Sequence, residues 1–172
     1  LSKQFLIKRK QCCGNGCLMC PYIPKHTKGS YKIMNRMGYA CINMQLSSQK
    51  PKIYTGRSMI KRTFKDKGIK YASELGLQNC KDLFEIIKWN KENGFDFFRI
   101  TSNLFPWCSE YKLEDMPDHW EICGILGEIG KYVDEHNMRL TSHPGPFNVL
   151  TSPHEHVVEN CIKDLSIHGE VF

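Results

Sequence analysis

Three short apolar runs alternate with three amphipathic stretches, and that alternation limits the folds open to this chain. Residues 37–43 (MGYACIN), 95–100 (FDFFRI) and 138–143 (MRLTSH) have the length and composition of buried strands. Between the first two, residues 71–93 place Leu75, Cys80, Leu83, Ile86, Ile87 and Asn90 near one helical face. The Glu-Asn-Gly at 92–94 supplies the stop. Residues 118–136 carry Ile122, Leu126, Ile129 and Val133 on one stripe. After the last strand, Ser152 fits an N-cap, Pro153 the first helical position and Glu155 the capping-box position. Val157, Val158, Cys161, Ile162 and Leu165 form the apolar face of that helix. Strand, helix, strand, helix, strand, helix predicts an α/β fold of parallel strands joined by right-handed crossovers.

The first 35 residues have a different texture, rich in Cys, Lys, Pro and Gly and without periodicity. They read as a basic, Cys-rich arm or a small metal-organised module, with the α/β region running from 36 to 172. Charge follows a similar division. Residues 1–70 hold 16 of the 24 Lys and Arg but a single acid, Asp66, a balance of +15; the rest holds 8 bases and 17 acids, a balance of −9. A basic field of that size on one segment suits a polyanion such as nucleic acid, or else is a solvated arm. No apolar run approaches the roughly 20 residues of a membrane span. The basic N-terminus lacks the apolar core of a secretory signal. Nine cysteines without such a signal suggest an intracellular, reducing compartment.

Four of those cysteines, Cys12, Cys13, Cys17 and Cys20, fall within QCCGNGCLMC. Gly14 and Gly16 allow a tight backbone, and Cys17-x-x-Cys20 is a usual chelating pair for zinc. The spacing Cys13-x3-Cys17-x2-Cys20 also matches that of radical-SAM enzymes, which hold an iron-sulfur cluster. Zinc, an iron-sulfur cluster and free thiols all remain open. The other cysteines sit mostly on apolar faces and read as core.

Sites of parallel α/β folds form at the carboxyl ends of the strands. The first end supplies Asn43. The second leads into a loop with Arg99, Ser102, Ser109 and Glu110. The third supplies His143, which Pro144 keeps extended and a Pro144-Gly145 turn fixes at the rim. A fixed imidazole suits a metal ligand or a general base.

The blocks GYACINMQL, ASELGLQNCKDLFEIIKWNKENGFDFFRITSNLFPW and RLTSHPGPFNVLTSPHEHVVENCIKDLSIH resemble the UV-damage endonuclease family, from about residue 37 to 168. The resemblance implies a (β/α)8 TIM-type barrel that nicks DNA 5′ to ultraviolet photoproducts, using divalent metal, manganese or magnesium. His143 matches the metal-binding histidine of the family's His-Pro-Gly motif. Tyr39 and Asn43 match a strand near the damaged nucleotides, although Tyr39 could equally be a core aromatic. Thr55-Gly-Arg-Ser resembles a Thr-Asn-Arg-Thr loop, making Arg57 a phosphate-contact candidate. Arg99 matches the arginine of the second strand. For both arginines an ion pair is the alternative.

The chain departs from the pattern in places. Glu110 stands where the family has a metal-binding histidine, and a carboxylate suits Mn²⁺ or Mg²⁺. Pro146 and Phe147 stand where the family has a glutamine and an aromatic residue that probe the lesion. Phe147 keeps the shape of a wedge. Three βα units cannot close a barrel. The expectation is therefore an N-terminal part of one, whose remainder, on continuing chain or on a second chain, holds the other ligands. Rival readings are a non-catalytic protein binding damaged DNA and an iron-sulfur enzyme using Cys13, Cys17 and Cys20.

Overall fold

The computed structural model describes residues 6, 8, 9, 11–18, 20–30, 32, 33, 36–142, 144, 145 and 148–172. They fall into two compact units, Leu1–Arg36 and Met37–Phe172. In the first, β1 (Tyr22–Ile23) pairs antiparallel with β2 (Lys32–Ile33). Tyr22 is 1% exposed beside Cys12 and Cys20, and its hydroxyl donates to the Leu6 carbonyl.

The second unit is built on β3 (Gly38–Ala40), β4 (Phe97–Arg99) and β5 (Arg139–Thr141). They form one parallel sheet in that order, as the alternation of runs predicts. Registers align Ala40 with Arg99 and Arg99 with Thr141, so the three strands end level. Each strand is shorter than the apolar run that contains it. At the first, Cys41 has φ 64° and the Ile42 N–H bonds back to the Ala40 carbonyl, so the chain reverses at once. Asn43 therefore caps a short helix, α1 (Met44–Ser47), accepting from the Leu46 N–H. It does not extend the rim, as the strand reading of residues 37–43 had it.

The helix α2 (Lys61–Glu92) begins ten residues before the expected start at 71. Its first segment lacks a continuous apolar stripe and breaks at Gly68, whose φ is 65°. Non-local contacts hold it: Phe64 stacks on Trp107 at 6.0 Å and packs beside Tyr111, while Trp107 Nε1 donates to the Met59 carbonyl. Beyond the kink, Cys80, Leu83, Ile86 and Ile87 are fully buried, as their spacing predicts. They pack with Phe98 and Ile100 of the β4 region and with Ile122 and Ile129 of α3 (His119–Glu135). Burying one such side chain stabilises the fold by about 1.5–3 kcal/mol.

The last helix, α4 (Glu155–Glu170), starts later than its capping signals suggest. Ser152 Oγ accepts from the His154 N–H instead, and His154 is the cap position. Cys161 and Ile167 are its buried residues, while Ile162 is 54% exposed. Of the cysteines read as core, Cys80, Cys108 and Cys161 are buried, Cys41 is half-buried and Cys123 is exposed. Among the described residues, no helix is long and apolar enough to cross a membrane.

Gly38 admits no side chain: a Cβ there would lie 1.7 Å from the Phe97 carbonyl oxygen. Gly38→Ala should cost about 2 kcal/mol or more, since backbone cannot shift as a side chain can. Gly124→Ala in α3 meets open space and should be neutral or slightly stabilising. Midpoints of urea unfolding check both.

Candidate functional site

Side chains alternate along a strand, so Ala40, Arg99 and Thr141 face the side opposite to Tyr39, Phe98 and Leu140. Tyr39 faces the helical layer. Its ring meets Phe95 and Phe98 edge-on at 5.4 and 5.2 Å. Its hydroxyl donates to Asn90 Oδ1 and accepts from Asn43 Nδ2 at 2.6 Å. Burial raises the Tyr39 pKa, with the hydrogen bonds to Asn43 and Asn90 opposing. Tyr39, Asn43 and Asn90 thus form an internal network that ties β3 to α2. Arg99, on the other face, is half-buried, and its Nε has no hydrogen-bond partner among the described residues. A buried donor left unpaired costs about 1–3 kcal/mol.

Arg57 is held by its own loop. Its guanidinium lies 2.8 Å from Asp82, donates to the Tyr54 and Lys52 carbonyls, and stacks 4.4 Å over the Tyr54 ring. Asn79, fully buried, brackets the Arg57 backbone by accepting from its N–H and donating to its carbonyl. Asp82 also accepts from the Tyr54 N–H and from Gln78. The ion-pair alternative for Arg57 is the arrangement found.

Glu110 ends a 3-10 turn, Cys108–Glu110, that follows Trp107 in a left-handed conformation at φ 60°. The carboxylate is exposed and has no ion-pair partner among the described residues. The turn is anchored to α4, where Cys108 Sγ donates to Asp164 Oδ1 at 3.3 Å. Burial, reinforced by the Asp164 charge, pushes the Cys108 thiol up to about 12. Asn148 donates to the other Asp164 oxygen, and His168 Nε2 lies 3.9 Å from it. His168 also lines a cavity of about 10 Å³ with Ser102 and Ser142, the residues beyond β4 and β5. The His143, Pro146 and Phe147 assignments lie outside the described residues. Among the described residues, no three His, Cys, Asp or Glu side chains are grouped to hold a metal ion.

Two features escape the sequence reading. One is the Asp164–His168 pair, four residues apart on α4. The exposed bases Lys61, Arg62, Lys65, Lys67 and Lys70 form a positive helical segment. Lys61 sits 5.7 Å over the Trp107 ring, so this segment adjoins the turn that carries Glu110. The signal was the charge density of KRTFKDKGIK; the missing part was the aromatic staple from 107 and 111.

A partial β/α barrel with its strand ends level is the class of protein defined so far. Residues 35–172 match the family model of the UV-endonuclease UvdE, and the chain belongs to that family. Residues 1–28 match a second model, a family of unknown function (DUF5522). The UV-damage endonuclease of Schizosaccharomyces pombe is 38% identical over 140 residues, 79% of this chain and 22% of that protein. The UV DNA damage endonuclease of Clostridium perfringens is 30% identical over 136 residues, covering 78% and 31%. The crystal structure of SacUVDE superposes with a TM-score of 0.65 at 29% identity, over 79% of this chain and 44% of that one. The chain thus spans less than half the length of these relatives, and its three parallel strands are part of a TIM-type barrel.

Asp82 is 8% exposed and Arg57 18% at the side chain. Removing one partner leaves a largely buried charge, so Asp82→Ala should destabilise the unit by about 3 kcal/mol. The shift in the urea midpoint measures it, and Asp82→Asn, which keeps only one of the two acceptor oxygens that Tyr54 and Gln78 use, should also destabilise the unit.

Proposed function

We propose that this chain contributes to a nuclease site that cuts duplex DNA on the 5′ side of ultraviolet photoproducts. The level ends of β3, β4 and β5 carry the reading, because they deliver the loops after Ala40, Arg99 and Thr141 to one edge of the sheet. Family membership, and the activities named for the relatives, give that edge its chemistry. The second reading, non-catalytic binding of damaged DNA, would need the same edge and basic segment without a metal.

Glu110 is an exposed, uncommitted carboxylate, and His143 follows two residues after β5. Both types suit Mn²⁺, and the oxygen donor suits Mg²⁺. A divalent ion held there would activate water and neutralise the scissile phosphate. Two ligands from this chain do not complete such a site. Cleavage therefore requires the further strands and ligands of a closed barrel, from continuing chain or a second polypeptide.

Arg99, on the sheet face opposite Tyr39, carries a guanidinium that suits a phosphate oxygen. The exposed bases at 61–70 are placed to follow a DNA backbone. Phe147 would enter the base stack at the lesion, with Pro146 stiffening its approach. Tyr39 and Asn43 would act beneath this surface, fixing the corner from which it is presented. Nine free cysteines suit a reducing, intracellular setting.

Anisotropy titration of the chain against intact and irradiated duplexes tests the binding half. Binding should weaken with salt, and Lys61→Ala with Arg62→Ala should lower the log–log slope by about 0.9 for each phosphate no longer neutralised. Phe147→Ala should reduce the preference for irradiated DNA; an unchanged ratio excludes the wedge. Calorimetry should show Mn²⁺ affinity lowered about tenfold or more by Glu110→Ala and by His143→Ala. Unchanged affinity in both removes them as ligands. Nicking of irradiated plasmid with Mn²⁺ by a protein carrying the complete barrel tests cleavage.

A further inference from the structure

The Leu1–Arg36 unit has almost no core. Its buried apolar side chains, among the described residues, are Leu6, Cys12, Cys20 and Tyr22. So small a core does not hold a fold together unaided, and a disulfide, a metal or a partner subunit supplies what it lacks. All the cysteines here are free thiols. Gly14 at φ 80° and Gly16 at φ 65° bend the chain between the cysteines.

That bending brings all four thiols to one place. Cys12, Cys13, Cys17 and Cys20 line a single cavity of about 10 Å³. Such a space admits one ion or one water. The sulfurs stand as two pairs. Cys12 Sγ lies 3.6 Å from Cys20 Sγ, and Cys13 and Cys17 are the neighbouring second pair. A tetrahedral zinc with Zn–S bonds of about 2.3 Å has S···S edges of about 3.8 Å, close to the observed pair. The two pairs are not yet closed about one centre. Cys13 and Cys17 are the less buried pair, and closing the site would take side-chain rotation there.

We propose that Cys12, Cys13, Cys17 and Cys20 bind one structural zinc ion, which takes the place of a core in this unit. The surrounding backbone is arranged for thiolates. The Gly14 N–H points to Cys12 Sγ at 3.4 Å. Arg9 and Lys25 add favourable charge beside Cys13 and Cys20, offsetting the net −2 of a zinc tetrathiolate. The site has four protein ligands and no open position, which marks it as structural. Metal binding would present Lys8, Arg9, Lys25 and Lys28 from a fixed scaffold. The proposal is independent of the nuclease reading, since its readouts are metal content and thiol reactivity.

The test is elemental analysis of the full chain purified from zinc-supplemented medium, combined with alkylation and mass spectrometry. The expected result is equimolar zinc, with the four cysteines protected from iodoacetamide until a chelator strips the metal. Cobalt exchanged into the chain should give the intense visible bands of a tetrahedral thiolate site. A Cys17→Ser, Cys20→Ser variant should lose the zinc, and Cys123→Ser, at an exposed thiol outside the unit, should keep it. Absence of zinc after reconstitution overturns the proposal, and so does zinc retained by the double variant. Iron with strong visible absorbance in place of zinc also overturns it. The cobalt spectrum and zinc content of the unsubstituted chain decide the matter even where the double variant fails to fold.

Discussion

The close approach of Gly38 to the Phe97 carbonyl sets the geometry of the larger unit. At that point β3 and β4 lie so near each other that a single methyl group has no room. Met37 reinforces the approach from the other side, since its carbonyl accepts from the Phe97 N–H and its own N–H donates to Asp96. The register fixed there aligns Ala40 with Arg99, and the β4–β5 register carries the alignment to Thr141. A slip of one residue would turn Arg99 toward the helices and Phe98 out of the core.

From this alignment the two faces of the sheet acquire separate duties. Phe98 and Tyr39 meet α2, whose Asn90, together with Asn43 at the cap of α1, satisfies the one polar group the pair brings inside. Asn79 and Asp82, also on the buried side of α2, reach in the other direction and hold the 54–57 loop through Tyr54 and Arg57. So α2 positions the loops at the sheet edge with polar side chains while its aliphatic ones form the core. Asp164 does the same for α4, linking the Glu110 turn, Asn148 and His168. A site at this edge would rest on buried hydrogen bonds at both flanks, the support that precise chemistry needs.

The core was largely legible. Cys80, Leu83, Ile86 and Ile87 announce themselves by spacing, and all are buried. The parallel order followed from alternation alone. The helix ends were less legible. Ser152, Pro153 and Glu155 carry a strong local start signal, yet the helix begins later than that signal indicates, because Ser152 is engaged in a preceding turn. Residues 61–70 lie before the helical spacing read from the sequence, and Trp107 and Tyr111, some forty residues away, supply the surface on which Phe64 packs. Arg57 illustrates the same limit for the site. Its loop motif points to a phosphate, while its partner Asp82 lies on a helix that the motif does not include.

Sequence alone determined the fold class, the charge division and the family, because periodicity, composition and long matching blocks are properties of contiguous residues. It also determined that four thiols lie within one short loop. Tertiary structure decided which way each candidate faces. Cys41 turns Asn43 inward, strand alternation sends Arg99 to the face opposite Tyr39, and Asp82 takes Arg57. Those outcomes depend on contacts between residues distant along the chain, whose energies no local pattern encodes.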